Sequence, residues 1–422
     1  MYYLRIFLLM TGVWLLMIDV MSADTSLQEQ IDSTPAGEIL VIENGIYNEP
    51  IDIRKPIRIV AKEGAMIVYD GEEAAVSING NDVSIDNLTV KASQNASAAV
   101  NVIGEGHSLT NMKITTATTA INLYKASHVL VEGTEIIGQA WKRAVNLDES
   151  HDNILQKNSV QNVEDGFYVE DSHRNLFTEN EVKQARYGFH IMYSQEITLS
   201  NNDVQNSYTG AMIMGAEGAL IRQNILMDNN ENVNAQGLLI YDSRGVMIRD
   251  NELINNRIGL MIEKSEENQV KDNLFSSNYI AIQFLRAADN EVSGNHFLLN
   301  LNEAQAIESS RNTVSQNFWD SSVKIDVDQD GYSDLAYEAD PYFLSLTDEV
   351  PEYQLFFQSP GMSILQKMLK STDKAVLADT EPLMKPELDA DGRAGSPFIV
   401  WVFAFVMLGL SVILFLAGRK KS

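Results

Sequence analysis

The sequence predicts an all-β fold, a right-handed single-stranded parallel β-helix of about 22 residues per coil, with a C-terminal docking tail and a transmembrane helix. Three observations predict it. Asn158, Asn180, Asn202 and Asn224 stand 22 residues apart, and after one step of 27 Asn251, Asn273, Asn295 and Asn317 resume at 22. Gly166, Gly188 and Gly210, then Gly237 and Gly259, with Ala281 in the next slot, keep the same rhythm. Between them lie runs such as NILQKN, GFYVED and GLMIEK, too short for helices and alternating as strands do. A leucine-rich repeat has a similar period but needs a regular leucine framework, which this chain lacks. One coil cannot bury its own apolar side; stacked coils share a core and exchange backbone hydrogen bonds at a spacing of about 4.8 Å. Asparagine tolerates left-handed turn geometry and bonds its counterpart one coil on. Glycine admits a tight corner without a Cβ clash. Both ladders read as structural, so no ladder asparagine is a catalytic candidate.

The elements follow in order. Arg5 precedes an apolar run from Ile6 to Met17, with Ala23 before a cleavage point, so residues 1–23 read as a signal peptide. Residues 24–35 read as a cap over the open end and 36–320 as the β-helix. That is roughly 13 coils, on the order of 60 Å at the strand spacing. Both ladders slip by five residues across DNNENVNA, Asp228–Ala235, which reads as an inserted loop on one face. Residues 321–345 form an acidic cap and 346–396 a docking tail and tether. Residues 397–418 are 22 positions without a charge, followed by Arg419, Lys420 and Lys421. About 20 apolar helical residues span a bilayer, so this reads as an anchor holding the β-helix on the extracytoplasmic side.

Composition narrows the partners. With 58 acidic and 31 basic residues, the formal net charge of −27 disfavours nucleic acid and acidic polysaccharide. With no cysteine there is no disulfide, thiolate metal site or cysteine nucleophile.

Counting from the corner glycine, the first and third residues beyond it are steadily apolar and point inward, so the second and fourth point outward. The second column reads Tyr168, His190, Met212, Leu239, Met261 and Gln283; the fourth reads Glu170, Met192, Met214, Tyr241, Glu263 and Leu285. Three roles fit this panel: core covered by a terminal segment, a protein docking surface, or a soft-metal site. Thioether and imidazole suit Cu(I), with His190, Met192, Met212 and Met214 as ligands. The remaining histidines, His107, His128, His151, His173 and His296, read as scattered, and Asp165, Asp171 and Asp203 as turn residues without a partner.

Past the last coil, Asp326, Asp328, Asp330 and Asp334 surround Gly331 and resemble half of a Ca²⁺ loop, without the late bidentate glutamate. The set fits weak Ca²⁺ binding or a solvated turn. No metal is expected to be tightly bound. Polysaccharide lyases and hydrolases also use β-helices, but the panel lacks their acid–base set. No Gly-rich phosphate motif is present, so any ATPase activity belongs to a partner and the chain reads as a non-enzyme.

The exported chain resembles the NosD family, β-helical accessory proteins of nitrous-oxide reductase maturation. The resemblance rests on Asn317-Phe318-Trp319, the Asp326–Asp334 cluster and Ala336-Tyr337. It rests also on Leu355-Phe356-Phe357, Ser359-Pro360, Asp379 and Pro382-Leu383-Met384-Lys385-Pro386; the partner-docking candidates are Tyr353, Leu355, Phe356, Phe357, Pro360, Asp379, Pro382, Leu383, Met384 and Pro386. It implies extracytoplasmic work beside an ABC-type membrane subunit with its cytoplasmic ATPase. The implied task is assembly of the copper–sulfur centre of nitrous-oxide reductase, through contact with the reductase or a copper chaperone. It names no copper ligand on the coils. The alternative is a β-helical carbohydrate-binding protein or a polysaccharide lyase or hydrolase.

Overall fold

Every strand pairing among residues 36–319 is parallel and joins one coil to the next. The computed structural model describes residues 26–339 and 377–386. A right-handed parallel β-solenoid results, the hand that parallel crossovers take. One face is a sheet of 13 strands running from Ile39–Ile42 to Thr313–Ser315. The other two faces join into a 23-stranded network, because the strands Ser159–Glu170 and Glu181–Met192 continue around the corner between them.

The core is a set of columns. Phe167 stacks on Phe189 at 5.0 Å, Phe275 on Phe297 at 4.9 Å, and Phe297 on Trp319 at 4.0 Å. Tyr337 closes the far end over Trp319 at 4.1 Å. At the near end the helix Leu27–Ser33 lays Leu27 and Ile31 over the first coil, and a Ser26/Glu29 capping box starts it.

The asparagine ladder is a continuous hydrogen-bonded chain. Asn180 Nδ2 donates to Leu155 O at 2.8 Å and to Asn202 Oδ1 at 3.0 Å, and Asn180 Oδ1 accepts from Asn158 N and Nδ2 at 3.1 and 2.9 Å. The left-handed residue is the one before each ladder asparagine: Lys157, Glu179, Asn201 and Gln223 all have φ of 55°. The asparagines are therefore kept for their amides and their neighbours bear the turn. The corner glycines also have a reason of their own. None of Gly166, Gly188 and Gly210 has a positive φ. A Cβ at these positions would stand 2.5, 2.4 and 2.5 Å from the carbonyl oxygen of the next coil's glycine. Close approach of successive coils, rather than turn geometry, excludes a side chain.

The expected transmembrane helix is corrected. Among the described residues no helix is long and apolar enough to cross a membrane. The one described helix, Leu27–Ser33, has seven residues and is about 10 Å long, a third of a bilayer's hydrocarbon core. The span Pro397–Gly418 lies outside the described residues, as do residues 1–23. The fold class is thus the parallel β-helix, and neither a transmembrane helix nor a C-terminal anchor belongs to the described structure.

Candidate functional site

Strand alternation sets the site. Val145, Phe167, Phe189 and Ala211 pair in register and are buried, as are Leu147, Val169, Ile191 and Ile213. The residues between them face outward. Asn146, Tyr168, His190, Met212, Leu239, Met261 and Gln283 form one column, and Asp148, Glu170, Met192, Met214, Tyr241, Glu263 and Leu285 the next. The panel is half-buried rather than open: Tyr168 is 6% exposed and the His190 side chain 12%.

Asp165 organises this surface. Its carboxylate is fully buried on the strand Ser159–Glu170, where it accepts from Arg186 Nε at 3.2 Å and Nη2 at 3.1 Å and faces His190 Nδ1 at 3.1 Å. A carboxylate oxygen can only accept, so the imidazole proton belongs on Nδ1 and Nε2 keeps its lone pair. Arg186 also pairs with Glu164 at 3.1 Å, and Arg143 lies over the Tyr168 ring at 3.3 Å. Burial, then the Glu170 carboxylate that accepts from the Tyr168 hydroxyl at 2.9 Å, pushes the Tyr168 phenol up to about 12. The panel thus holds a proton-fixed imidazole among thioethers, beside a neutralised guanidinium–carboxylate pair. Asp165 read as partnerless in the sequence. Its partners lie 21 and 25 residues away, one coil on, flanking the position 22 beyond it.

The other histidines are less scattered than the sequence suggested. His151 and His173 stack at 5.0 Å, and each Nδ1 accepts a backbone N–H of the next coil, from His173 at 3.0 Å and Gln195 at 3.1 Å. An Nδ1 that accepts leaves the proton on Nε2, so these rings serve the turn column rather than a metal. His107 is buried and accepts from Val83 N at 3.2 Å; burial lowers its pKa.

At the far end, ligand atoms of Asp326, Asp328 and Asp330 lie within 4.8 Å of one another, which makes an exposed cluster able to hold a metal. Asp326 already accepts from Gln329 N at 2.6 Å and Gly331 N at 3.2 Å. Asp334 is not in the cluster; it accepts from Val327 N at 2.8 Å.

Of the docking candidates, Tyr353, Leu355, Phe356, Phe357 and Pro360 lie outside the described residues. The others return to the chain's own last coil. Asp379 is buried and takes the place of the next ladder asparagine. It accepts from Asn317 N at 2.9 Å, Asn317 Nδ2 at 3.1 Å, Trp319 Nε1 at 2.9 Å and Gln316 N at 3.1 Å. Leu377–Asp379 pairs antiparallel with Tyr337–Ala339. Leu383 N donates to Asn317 O at 3.0 Å and Met384 N to Gly331 O at 3.0 Å. Pro382 and Leu383 are buried and Pro386 is exposed.

Solved structures similar to this chain include an alginate epimerase and two polysaccharide lyases. A mutant of the periplasmic alginate epimerase AlgG aligns with TM-score 0.53 at 13% identity, over 68% of this chain and 83% of that one. The alginate lyase AlyF-OU02 aligns with TM-score 0.53 at 13% identity, over 70% and 83%. A mannuronic acid specific polysaccharide family 6 lyase from human gut microbiota aligns with TM-score 0.53 at 12% identity, over 69% and 84%. At such identities the likeness is one of fold alone, the parallel β-helix. No curated protein matches the sequence. Residues 127–332, which hold the His190 panel and the last full coils, match the model of the family described as "Periplasmic copper-binding protein (NosD)", and over that stretch the NosD resemblance read from the sequence is shown.

Proposed function

We propose that this chain is a non-enzymatic, extracytoplasmic accessory subunit that presents a ligand from the His190 panel. Its task in this reading is to assist assembly of the copper–sulfur centre of nitrous-oxide reductase beside an ABC-type membrane subunit. ATP hydrolysis belongs to that partner's ATPase. The observation that carries the proposal is the Asp165–His190 contact on a methionine-bearing face. A carboxylate behind an imidazole fixes its tautomer and strengthens it as a ligand, and thioethers beside it suit transient Cu(I). The matched family, described as periplasmic copper-binding proteins, supports the same metal. The test is anaerobic Cu(I) titration of the intact protein and of a His190→Ala/Met212→Ala/Met214→Ala variant with an unchanged β-sheet spectrum. At least a tenfold loss of affinity is expected; equal affinity rejects the site. Crosslinking in native membranes tests the transporter partner.

The second reading is a carbohydrate-binding protein or a polysaccharide lyase or hydrolase, and the structural relatives favour it. They are an alginate epimerase, an alginate lyase and a mannuronic acid specific polysaccharide lyase. Asp165, Arg186, His190 and Tyr168 place acidic, basic and proton-bearing groups on one face. Release of new chain ends from a glycan, lost in His190→Ala, selects this reading over the first. The Asp326 cluster fits weak Ca²⁺ in either case.

A further inference from the structure

At one corner the coils depart from their period, first at Ile67–Val76 and Val90–Val100 and then twice more within residues 114–304. Seven positions separate Val160 from Phe167, Val182 from Phe189 and Val204 from Ala211, but nine separate Ile136 from Val145 and twelve separate Leu226 from Leu238. These residues pair in register, so the extra chain projects from the same edge of the rod. The insertion between Ile136 and Val145 carries Trp141 and that between Leu226 and Leu238 carries Glu231. Three regular coils lie between them, and the walls stand about 19 Å apart at the strand spacing.

This trough is a cleft of about 400 Å³ lined by Trp141, Tyr208, Asn162, Gln184, Asn206 and Glu231 among others. Trp141 is 50% exposed and Tyr208 39%, with ring centroids 6.3 Å apart and planes tilted by 51°. Asn162, Gln184 and Asn206 occupy equivalent left-handed turn positions on successive coils, with φ of 58°, 56° and 53°. Their side-chain amides bond no other described residue and are exposed. Asn201 and Gln223, at another left-handed turn, are likewise exposed with unbonded amides; Asn162, Gln184 and Asn206 differ in lining a cleft beside two aromatic rings.

We infer that this cleft binds a neutral oligosaccharide. A sugar ring offers an apolar C–H face and a rim of hydroxyls. Half-exposed Trp and Tyr match the first at low entropic cost, and amides that both donate and accept match the second. No cation is among the lining residues and Glu231 is, so uronates and sulfated glycans are disfavoured. Insertions confined to one face of a solenoid mark its binding face. The inference deepens the carbohydrate reading above and rests on it, but makes the cleft, not the His190 panel, the place of contact.

The test uses the full chain and isothermal titration against soluble β-1,4-glucan, α-1,4-glucan, xylan and mannan oligosaccharides, with oligomannuronate as the charged control. A neutral oligosaccharide is expected to bind, and Trp141→Ala and Tyr208→Ala each to weaken it at least tenfold. Gln184→Ala is expected to weaken it about threefold. Trp141 is on an exposed insertion, so its variant keeps the fold, checked by an unchanged melting curve. Binding by wild type with undiminished affinity in Trp141→Ala overturns the cleft and leaves the carbohydrate reading standing. Preference for oligomannuronate overturns the neutral-ligand assignment. No binding to any glycan overturns both.

Discussion

Replacing Asp379 with alanine should unzip the last coil while leaving the middle of the rod folded. The carboxylate accepts from two backbone N–H groups, Gln316 and Asn317, from the Asn317 amide and from the Trp319 indole. Asn317 and Trp319 are at most 1% exposed, so water does not reach these donors without movement. Each buried donor left without a partner costs about 1–3 kcal/mol. The Asn317 amide keeps Val292 O and Ser315 O, so two such donors, Asn317 N and Trp319 Nε1, give a loss of about 2–5 kcal/mol at this end. A solenoid's stability is a sum of coil and nearest-neighbour terms, so the loss stays local. Hydrogen exchange read by mass spectrometry is the assay. Peptides covering 291–319 should lose protection by the factor that this loss implies, while those covering 182–213 stay unchanged. Asp379→Asn retains one acceptor oxygen and should lose less. Unchanged protection at 291–319 in Asp379→Ala would refute the view that the return segment completes the ladder.

The buried Glu303, pushed up to about 7 by burial and bonded to the Ser321 hydroxyl at 2.6 Å, makes the same end pH-sensitive. Its folded pKa lies above the ordinary carboxylate value, so the protonated form favours folding. That stability is fully present below about pH 4 and is lost as pH rises through about 7. Exchange of 302–322 should therefore quicken from pH 5 to pH 8 beyond the intrinsic chemical rate, and Glu303→Gln should remove that excess. Gly188→Ala should destabilise by about 1–3 kcal/mol, because its Cβ would stand 2.4 Å from both Gly210 O and Val204 Cγ1; an unchanged denaturant midpoint counts against close coil approach as the reason for the glycine column. Calcium titration should show weak binding, of about 10⁻⁴–10⁻³ M, lost in Asp328→Asn and retained in Asp334→Asn, since only Asp328 belongs to the three-carboxylate cluster.

Periodicity made the solenoid legible, because a residue repeated every coil must answer the same local demand in each. It offered two demands for the asparagines, a left-handed turn and amide bonding between coils, and only the second is met. The ladder asparagines look like turn residues in sequence, yet Lys157, Glu179 and Asn201 adopt the left-handed conformation and the asparagines supply amides. The outward panel also follows from alternation alone, and its register is as expected. Asp165 was illegible because its partners are set by the next coil's side-chain reach rather than by a repeated position. The pairing of His151 with His173 is a 22-residue step that single histidines do not advertise. Asp379 joins Asn317 across 62 residues, a closure that no period encodes.

The division between repeated and unrepeated positions also says where function can reside. Inward columns must stay apolar, ladder columns must stay amide or hydroxyl, and the corner column must stay small wherever the next coil presses on it. What remains free to vary is the outward column and the length of a corner. Between Trp141 and Met214 both freedoms are used at once. The outward column changes from Asn146 to Tyr168, His190 and Met212 within three coils, and the corner is lengthened on either side of them. Past Leu260 the corner spacing is regular and the column settles into Gln283 and Gln305, bonded to each other at 2.6 Å. A rod held together by identical rungs gains nothing in stability from such local variety. The coils that carry it are the ones on which both proposed ligand sites, the His190 panel and the Trp141 cleft, are placed.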